Sequence, residues 1–313
     1  MNRKRDFLSI TDLTRRDILD ILGIAGKLKR ILKKTGKNKP LLKGKTLIMI
    51  YEKPSLRTHA SFDIGMFQLG GHALYFGPEH IGLGVREPVE HAANVLSRMG
   101  NAIMARVFAH QTVMDLAAYS TVPVINGLSD LEHPCQILAD IMTLVEKKGS
   151  LHGLHVAFVG DGDNNVTHSL ALAGGLLGMH IAVASPKGYG MRRDIVDRAG
   201  SLAKKYGGSI TETQVPKAAV RDADVVYTDS WMSYHIPKED KEKRIKLFMP
   251  YQVNGKLMTN AKKDAIFMNC LPAQRGYEQT AEVIDGKQSV VFDQAENRLH
   301  MQKAIIAFLL DMR

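Results

Sequence analysis

The chain has 313 residues, of which 45% are hydrophobic and 24% are charged, and its formal net charge at pH 7 is +10. This length predicts two domains of about 150 residues each, and the composition excludes long disordered segments. A basic protein could bind nucleic acid, but the dense basic runs at 27–39 and 238–246 contain no aromatic residue. We therefore interpret these runs as solvated helix faces and expect no nucleic-acid partner.

The N-terminal segment and the two cysteines predict a soluble, cytoplasmic protein. Residues 1–17 are basic but contain no uninterrupted apolar stretch, so neither a secretory signal nor a membrane anchor is expected. No other apolar run approaches the roughly 20 residues that a membrane-spanning helix needs, and we expect no membrane partner. Cys135 and Cys270 are too few for a disulfide framework or a cysteine zinc site, so we expect reduced thiols.

Short apolar runs rich in β-branched residues alternate with amphipathic stretches along the whole chain. Strands buried on both faces are predicted at 46–51, 102–108, 122–126, 155–160, 180–185, 224–230 and 265–270. Helices are predicted between them at 56–69, 87–100, 133–147, 165–177 and 191–205. This alternation is typical of an α/β protein with parallel sheets. Ligands bind such sheets beyond the carboxyl ends of the strands, so the residues that follow strands are the candidates for chemistry.

A domain boundary is predicted where a charged helix end meets two glycines at 146–153. It divides the chain into domains at 1–149 and 150–296. The last apolar pattern, at 298–312, predicts a helix that could return to either domain.

The segment that follows the first strand is a candidate phosphate pocket. Pro54 and Ser55 are suited to open a helix, whose first turn has free N–H groups that can bind an anion. The hydroxyls of Ser55 and Thr58 and the guanidinium of Arg57 would complete an oxyanion site. A plain capped helix is the alternative for this segment taken alone.

Three more polar residues of the first domain could reach the same ligand. Arg106 lies near the end of an apolar strand, where an arginine needs a partner. His133 and Gln136 lie three residues apart on one face of a helix start. His133 could donate to a carbonyl oxygen and Gln136 could accept from an amide, although single residues of these types are more often structural.

The second domain has candidates for binding an amine. Asn164 and Asn165 follow a strand in GDGDNN, which departs from the glycine spacing of dinucleotide-binding loops, so we interpret both as ligand amides. Asp229 and Cys270 each follow a later strand. A carboxylate and a thiol at adjacent strand ends could bind and deprotonate a cationic amine.

Six motifs in a fixed order give the chain a resemblance to a known family. They are SLRTH at 55–59, Arg106, HPCQ at 133–136, NN at 164–165, DSWMS at 229–233 and NCLPAQR at 269–275. Together they closely resemble the ornithine carbamoyltransferases of the aspartate/ornithine carbamoyltransferase superfamily, and the likeness covers nearly the whole chain. The resemblance implies two doubly wound parallel-sheet domains, a carbamoyl-phosphate domain at 1–149 and an ornithine domain at 150–296. It also implies that a C-terminal helix, 297–313, returns to the first domain.

The activity implied by the resemblance is transfer of the carbamoyl group from carbamoyl phosphate to the δ-amine of L-ornithine. The products are L-citrulline and phosphate, in arginine metabolism. The resemblance implies no metal and no organic cofactor. Members of the family are homotrimers or multiples of trimers, with sites near the subunit interface.

The resemblance also implies roles for individual residues. The residues that would bind carbamoyl phosphate are Ser55, Leu56, Arg57, Thr58, Arg106, His133, Gln136, Cys270, Leu271 and Arg275. Those that would bind ornithine are Asn165, Asp229, Ser233 and Tyr234. The catalytic set would be Arg106 and His133 at the carbonyl, Asp229 and Cys270 at the amine, and Arg275 at the tetrahedral intermediate. We hypothesise that the leaving phosphate accepts the proton, because the sequence reveals no side-chain base suited to this step.

Several positions depart from the family pattern. The usual S-T-R-T-R reads S-L-R-T-H, so a permanent cation becomes His59, whose charge can vary near neutral pH. The usual S-M-G reads Ser233, Tyr234, His235, and the usual H-C-L-P begins with Asn269. These last substitutions touch the ornithine side and bear on amine specificity.

Gly82 stands where members often place a glutamine or histidine that reaches the site of a neighbouring subunit. His80 and Arg86 are the candidate substitutes. The alternative is that this loop only packs against a neighbour.

Two other functions compete with ornithine carbamoylation. One is a carbamoyltransferase for another amine, such as an acylated ornithine, putrescine or aspartate; DSWMS with NCLP favours free ornithine. The other is a non-catalytic paralogue that binds carbamoyl phosphate as a sensor, and the retention of Arg57, Arg106 and His133 argues against it. The sequence leaves open whether citrulline is made or broken down.

Overall fold

A computed structural model describes residues 4–232 and 236–312. The chain forms two compact units. Unit 1 comprises Met1–Met142 and Glu296–Arg313, and unit 2 comprises Thr143–Ala295.

Unit 1 is built on a four-stranded parallel sheet. Its strands are β1 (Thr46–Tyr51), β2 (His72–Phe76), β3 (Ala102–Arg106) and β4 (Val124–Leu128), in the order β2-β1-β3-β4. Its helices are α1 (Arg15–Thr35), α2 (Leu56–Gln68), α3 (Pro78–Ile81), α4 (Val89–Leu96), α5 (His110–Tyr119) and α6 (Pro134–Lys148), after a 3-10 turn at Ile10–Asp12. The chain passes into unit 2 within α6.

Unit 2 is built on a five-stranded parallel sheet. Its strands are β5 (His155–Val159), β6 (His180–Ala184), β7 (Ser209–Thr213), β8 (Val225–Tyr227) and β9 (Ile266–Met268), in the order β7-β6-β5-β8-β9. Its helices are α7 (Asn165–Leu177), α8 (Arg193–Tyr206), α9 (Pro216–Val220), α10 (Lys241–Phe248), α11 (Gly255–Met258) and α12 (Ala281–Ile284). Two 3-10 turns lie at Lys238–Asp240 and Met249–Tyr251, and α13 (Val291–Leu309) leads the chain back into unit 1.

Both sheets confirm the predicted α/β class with doubly wound parallel sheets. Every position of β8, an inner strand, is buried, as expected of a strand that is covered by helices on both faces. The edge strand β4 is buried along its whole length as well. The predicted strand at 46–51 and the predicted helix at 165–177 coincide with β1 and α7. The predicted strand at 224–230 is longer than β8, because the chain leaves the sheet after Tyr227 to form the loop that carries Asp229.

Two strands were missed by the sequence analysis, and both are edge strands. β2 and β7 pair with a neighbour on one side only, and most of their residues are exposed or half-buried. The edge strands β4 and β9 are fully buried, and their apolar runs were predicted. β2 and β7 escape because their partial exposure leaves them without a continuous apolar run.

Helix α13 buries an unusual number of polar side chains: Gln294, Asn297, Arg298, His300, Gln302 and Lys303. Lys303 Nζ donates to Asn38 Oδ1 at 2.9 Å and to Gln68 Oε1 at 2.7 Å, and burial lowers its pKa to about 8. Lys29 Nζ likewise donates to Asn297 Oδ1 at 2.7 Å. Amide oxygens therefore make the burial of these cations tolerable.

No helix within residues 4–232 and 236–312 is long and apolar enough to cross a membrane.

We expect His300 to make the protein less stable in acid. Burial, together with the charge of Lys303, lowers the pKa of His300 from 6.5 to about 4, so the folded state keeps this imidazole neutral. The unfolded chain binds a proton there below about pH 6.5. Between these pH values the unfolded state holds more protons, so the free energy of unfolding falls as the pH falls.

The substitution His300→Gln should remove this contribution. Urea unfolding at a series of pH values should then show a slope of unfolding free energy against pH that is shallower by at most about one proton. The exposed His91 provides the control, since His91→Gln should leave the slope unchanged. Equal slopes for wild type and His300→Gln would contradict the prediction.

Candidate active site

The N-terminus of α2 presents hydrogen-bond donors just beyond the carboxyl end of β1. Ser55 caps the helix with an extended backbone, and its Oγ accepts from the Thr58 N–H at 3.3 Å. The Ser55 hydroxyl donates to Thr58 Oγ1 at 3.1 Å, and Thr58 is buried. Leu56 follows the cap as the first helical residue, and its side chain is largely exposed. Free N–H groups and the positive end of a helix dipole are suited to bind a phosphate.

A buried arginine from the far end of the chain lies against this turn. Arg298, on α13, is 2% exposed, and its Nη2 donates to Thr58 Oγ1 at 3.3 Å. Its Nη1 donates to Gln136 Oε1, and Gln136 Nε2 donates to Asp140 Oδ1 at 2.8 Å. The carboxamide of Gln136 is therefore fixed at both ends. The sequence analysis assigned no role to Arg298.

His133, which immediately precedes α6, is surrounded by guanidinium groups. Burial, followed by the charges of Arg298, Arg106 and Arg57, holds the pKa of His133 well below its usual value. The imidazole is therefore neutral at physiological pH and can donate one N–H without adding a charge. Arg106 ends β3, in register with Tyr51 of β1, which places it at the carboxyl edge of the sheet.

His59 replaces the family's arginine with an aromatic contact. Its ring stacks on Tyr75, with ring centroids 4.7 Å apart and an interplanar angle of 17°. The Tyr51 ring lies 6.0 Å away, and burial raises the pKa of this phenol, so it stays neutral beside Arg106. The substitution thus places a packed ring behind the phosphate turn, where a cation would be expected.

In unit 2 the loops after β5, β8 and β9 meet at a carboxylate. Asp229 Oδ2 accepts from Asn164 Nδ2 at 3.2 Å, and Asp229 Oδ1 accepts from Cys270 Sγ at 3.1 Å. Asp229 and Cys270 are both half-buried. The structure therefore brings together the carboxylate and the thiol that the sequence analysis placed at adjacent strand ends.

Asn164 and Asn165 have different positions at the start of α7. Asn164 caps the helix, since its Oδ1 accepts from the Val166 N–H at 2.7 Å, and it also contacts Asp229. Asn165 is the first helical residue and is half-buried. Asn164 is therefore a direct neighbour of Asp229, and the binding of a ligand by Asn165 stays a prediction.

The turn at Cys270 and Leu271 is held by buried amides. Leu271 has a φ of 57°, in the left-handed region that non-glycine residues rarely adopt. Its N–H donates to Asn269 Oδ1 at 2.8 Å, and Asn269 Nδ2 donates to Gln279 Oε1 at 3.1 Å. Strained conformations of this kind persist where the surroundings determine them. Asn269, at the position of the family's histidine, thus holds the turn in place.

Arg275 lies at the surface of unit 2. Its guanidinium donates to both carboxylate oxygens of Asp285, at 2.8 and 2.7 Å, and both side chains are about half exposed. The predicted contact of Arg275 with the tetrahedral intermediate stays a prediction. Ser233 and Tyr234, which were predicted to bind ornithine, lie with His235 outside the described residues. In the part of the chain that the structure describes, no group of three or more His, Cys, Asp or Glu side chains could hold a metal ion.

Both halves of the chain match family models. Residues 5–146 match the carbamoyl-P binding domain of aspartate/ornithine carbamoyltransferase, and residues 152–309 match its Asp/Orn binding domain.

Individual relatives match along nearly their whole length. A protein of Carboxydothermus hydrogenoformans named ornithine carbamoyltransferase is 52% identical over 308 residues, which cover 98% of each chain. A protein of Pyrococcus furiosus named ornithine carbamoyltransferase, anabolic, is 52% identical over 98% of this chain and 96% of its own. A solved structure titled ornithine carbamoyltransferase from Pyrococcus furiosus aligns with a TM-score of 0.94 at 51% identity, covering 98% of this chain and 97% of that chain. The chain therefore belongs to the aspartate/ornithine carbamoyltransferase family.

Proposed function

We propose that this protein transfers the carbamoyl group of carbamoyl phosphate to the δ-amine of L-ornithine, giving L-citrulline and phosphate. The family includes enzymes for aspartate and for ornithine, so the amine has to be argued from the site. The observation that carries the proposal is the carboxylate of Asp229, held between Asn164 and Cys270 at the meeting point of three loops. A half-buried carboxylate attracts the ammonium groups of ornithine and repels the second, side-chain carboxylate of aspartate, which ornithine lacks.

Unit 1 supplies the site for carbamoyl phosphate. The phosphate binds the first turn of α2, at the Ser55 and Thr58 hydroxyls, the Leu56 N–H and the Arg57 guanidinium. Arg106 and the neutral His133 donate to the carbonyl oxygen, and Gln136 holds the carbamoyl nitrogen. These donors are fixed before the substrate arrives, so they stabilise the developing oxyanion with little reorganisation.

The transfer forms one bond and breaks another. The neutral δ-amine attacks the carbonyl carbon, a C–N bond forms, and the C–O bond to phosphate breaks. Asn165, Asp229, Ser233 and Tyr234 hold the amino acid end of ornithine, and Cys270 lies close to the δ-amine. The backbone of Cys270 and Leu271 holds the carbamoyl nitrogen, and the departing phosphate takes the proton from the amine. The same site catalyses the reverse reaction.

Formation of citrulline by the purified protein tests this function directly. A panel of amines at saturating carbamoyl phosphate, comprising ornithine, an acylated ornithine, putrescine and aspartate, should give turnover with ornithine alone. Turnover with another member would move the proposal to that amine. Absence of turnover, with carbamoyl phosphate still raising the melting temperature, would favour a sensor.

We also propose a homotrimer, or a multiple of trimers, in the cytoplasm. Ile64 and Phe67 lie three residues apart on α2 and are 44% and 80% exposed, and Leu74 on the adjacent β2 is 39% exposed. Apolar side chains exposed on neighbouring elements are typical of a subunit contact. The exposed loop residues His80 and Arg86 could then reach a neighbouring subunit. Cys135 and Cys270 are both free thiols, which fits a reducing compartment.

Removing the charge of Asp229 should weaken ornithine binding selectively. Asp229→Asn keeps the shape but loses the attraction for the ammonium group, so the KM for ornithine should rise by about 100-fold. The KM for carbamoyl phosphate should stay within about twofold of wild type. Steady-state kinetics with each substrate varied in turn measure both values, and a rise in both would contradict the assignment.

Cys270→Ser should keep kcat within about tenfold if phosphate accepts the proton.

Arg298 and Arg275 should differ sharply in their effect on carbamoyl phosphate. Arg298→Met removes the donors to Thr58 and Gln136, so the KM for carbamoyl phosphate should rise by about 100-fold or more. Arg275→Met removes a surface ion pair with Asp285 and should have a smaller effect on that KM, unless this arginine leaves Asp285 to contact the intermediate. An equal or larger effect of Arg275→Met on the KM for carbamoyl phosphate would contradict this prediction and would indicate that Arg275 contacts the substrate.

The exposed face of α2 should be needed for assembly. Phe67→Lys places a charge in the proposed subunit contact and should convert the trimer to smaller species in light-scattering measurements. Phe292 is similarly exposed, at 73%, and lies in unit 2 at the start of α13, so Phe292→Lys is the matched control. Unchanged mass for Phe67→Lys would exclude this face from the contact.

A further inference from the structure

Three loops carry the amine site of unit 2, and they are joined by more than the bonds at Asp229. We define them as the β5 loop (160–165), the β8 loop (228–232) and the β9 loop (269–275). Hydrogen bonds among Asn164, Asp229 and Cys270 connect them at the candidate site. Two buried charged side chains from other segments connect the same three loops a second time.

Glu278 ties the β8 loop to the β9 loop. Its side chain is buried, Oε2 accepts from the Gln274 N–H at 3.0 Å, and Oε1 accepts from the Trp231 N–H at 3.4 Å. Burial raises the pKa of Glu278, and the charge of Asp229 acts in the same direction. A buried carboxylate is costly unless donors surround it, so the two N–H groups are what make this position tolerable.

Arg244 ties the β8 loop to the β5 loop. Its Nε donates to the Trp231 carbonyl oxygen at 2.7 Å, and its Nη2 pairs with the Asp161 carboxylate. The guanidinium also lies over the rings of Tyr189 and Phe248, 5.1 and 4.9 Å from their centroids. Burial raises the pKa of Asp161 to about 6, although Arg244 opposes the shift.

The backbone of Trp231 is consequently held at both its N–H and its carbonyl group. Its N–H is bound by Glu278, its carbonyl by Arg244, and its buried indole stacks on Phe248 with centroids 5.8 Å apart. It follows Asp229 by two residues, so a displacement of the Trp231 backbone displaces the Asp229 carboxylate as well. Displacements of about 1 Å can cost an enzyme about 100-fold in rate.

We infer that Glu278 and Arg244 are positioning residues for the amine substrate, which fix Asp229 against Asn164 and Cys270 by holding the Trp231 backbone from both sides. The identity of the amine rests on the proposed function. Apolar residues of the same size would stabilise the fold about equally, since a buried ion pair contributes little net stability compared with them. Directional bonds to an N–H and a carbonyl additionally fix how the loop is turned, and the site requires that orientation.

The variants Glu278→Gln and Arg244→Met test this inference against matched controls. Glu282→Gln alters another carboxylate that accepts a backbone N–H in unit 2, that of Gly255 at 2.9 Å, outside the three loops. Arg193→Met alters an exposed arginine, which pairs with Asp197. Because Trp231 is the only tryptophan of the chain, intrinsic fluorescence reports on the held residue itself.

Both test variants should raise the KM for ornithine by about 10- to 100-fold and leave the KM for carbamoyl phosphate within about twofold of wild type. Trp231 emission should shift to longer wavelengths and become easier to quench with acrylamide. Glu278→Gln keeps one acceptor oxygen, so its effect should be smaller than that of Glu278→Ala. The two controls should match wild type in both measurements.

An unchanged KM for ornithine would overturn the inference, whether or not the emission shifts. So would equal losses for both substrates, which would indicate a general structural role. If Arg244→Met does not unfold cooperatively, Arg244→Lys, which keeps a charge for Asp161 but cannot bond both partners, replaces it. If wild type forms no citrulline, the proposed function fails. The positioning of Trp231 is then tested by the Trp231 fluorescence emission of Glu278→Gln. An emission equal to that of wild type would overturn the inference.

Discussion

The buried guanidinium of Arg298 is the interaction on which unit 1 depends. A cation removed from water is costly, and Arg298 offsets part of that cost by donating to Thr58 and to Gln136. In doing so it joins two side chains from different helices, which both belong to the proposed carbamoyl-phosphate site. The charges of Arg298, Arg106 and Arg57 all act on His133, and this concentration of positive charge suits the phosphate of the proposed substrate.

Burial and the same cluster of cations act together on His133. Burial first, and then the charges of Arg298, Arg106 and Arg57, hold the pKa of its imidazole well below the usual value, so the imidazole is neutral. In the proposed mechanism a neutral donor polarises the carbonyl oxygen while the arginines bind the charged phosphate. That proposal divides the two roles between side chains whose charges are fixed in advance, which is the condition for electrostatic preorganisation.

The sequence predicts what depends on local pattern and misses what depends on distant contacts. The inner strand β1 and the helix α7 were predicted to the residue, because apolar periodicity and helix caps act locally. The strands β2 and β7 escaped, because they are mostly exposed or half-buried and so lack a continuous apolar run. The positions of Asp229 and Cys270 after two later strands predicted that these side chains come together, and the structure shows this contact. The ion pair of Arg275 with Asp285 could not be predicted from a motif.

Arg298 is the clearest example of a buried residue whose contacts the local sequence pattern does not identify. It is separated from Thr58 by 240 residues, and its neighbours in sequence look like an ordinary amphipathic helix. The available signal was the repetition of polar residues every three or four positions among the apolar ones of α13, which places Gln294, Asn297 and Arg298 inside the protein. A buried polar side chain needs a partner, and on a helix that returns from the end of the chain that partner can only be identified in three dimensions.

Departures from the family pattern are accommodated by their immediate surroundings. The rings of His59, Tyr51 and Tyr75 form a cluster in which each lies within 6.0 Å of the other two, so an aromatic contact stands where the family has a guanidinium. Asn269 donates to Gln279 and accepts from the Leu271 N–H, so the strained turn is held without the usual histidine. In both places the side chain that departs from the pattern makes contacts of its own beside the turn, so each departure is supported locally.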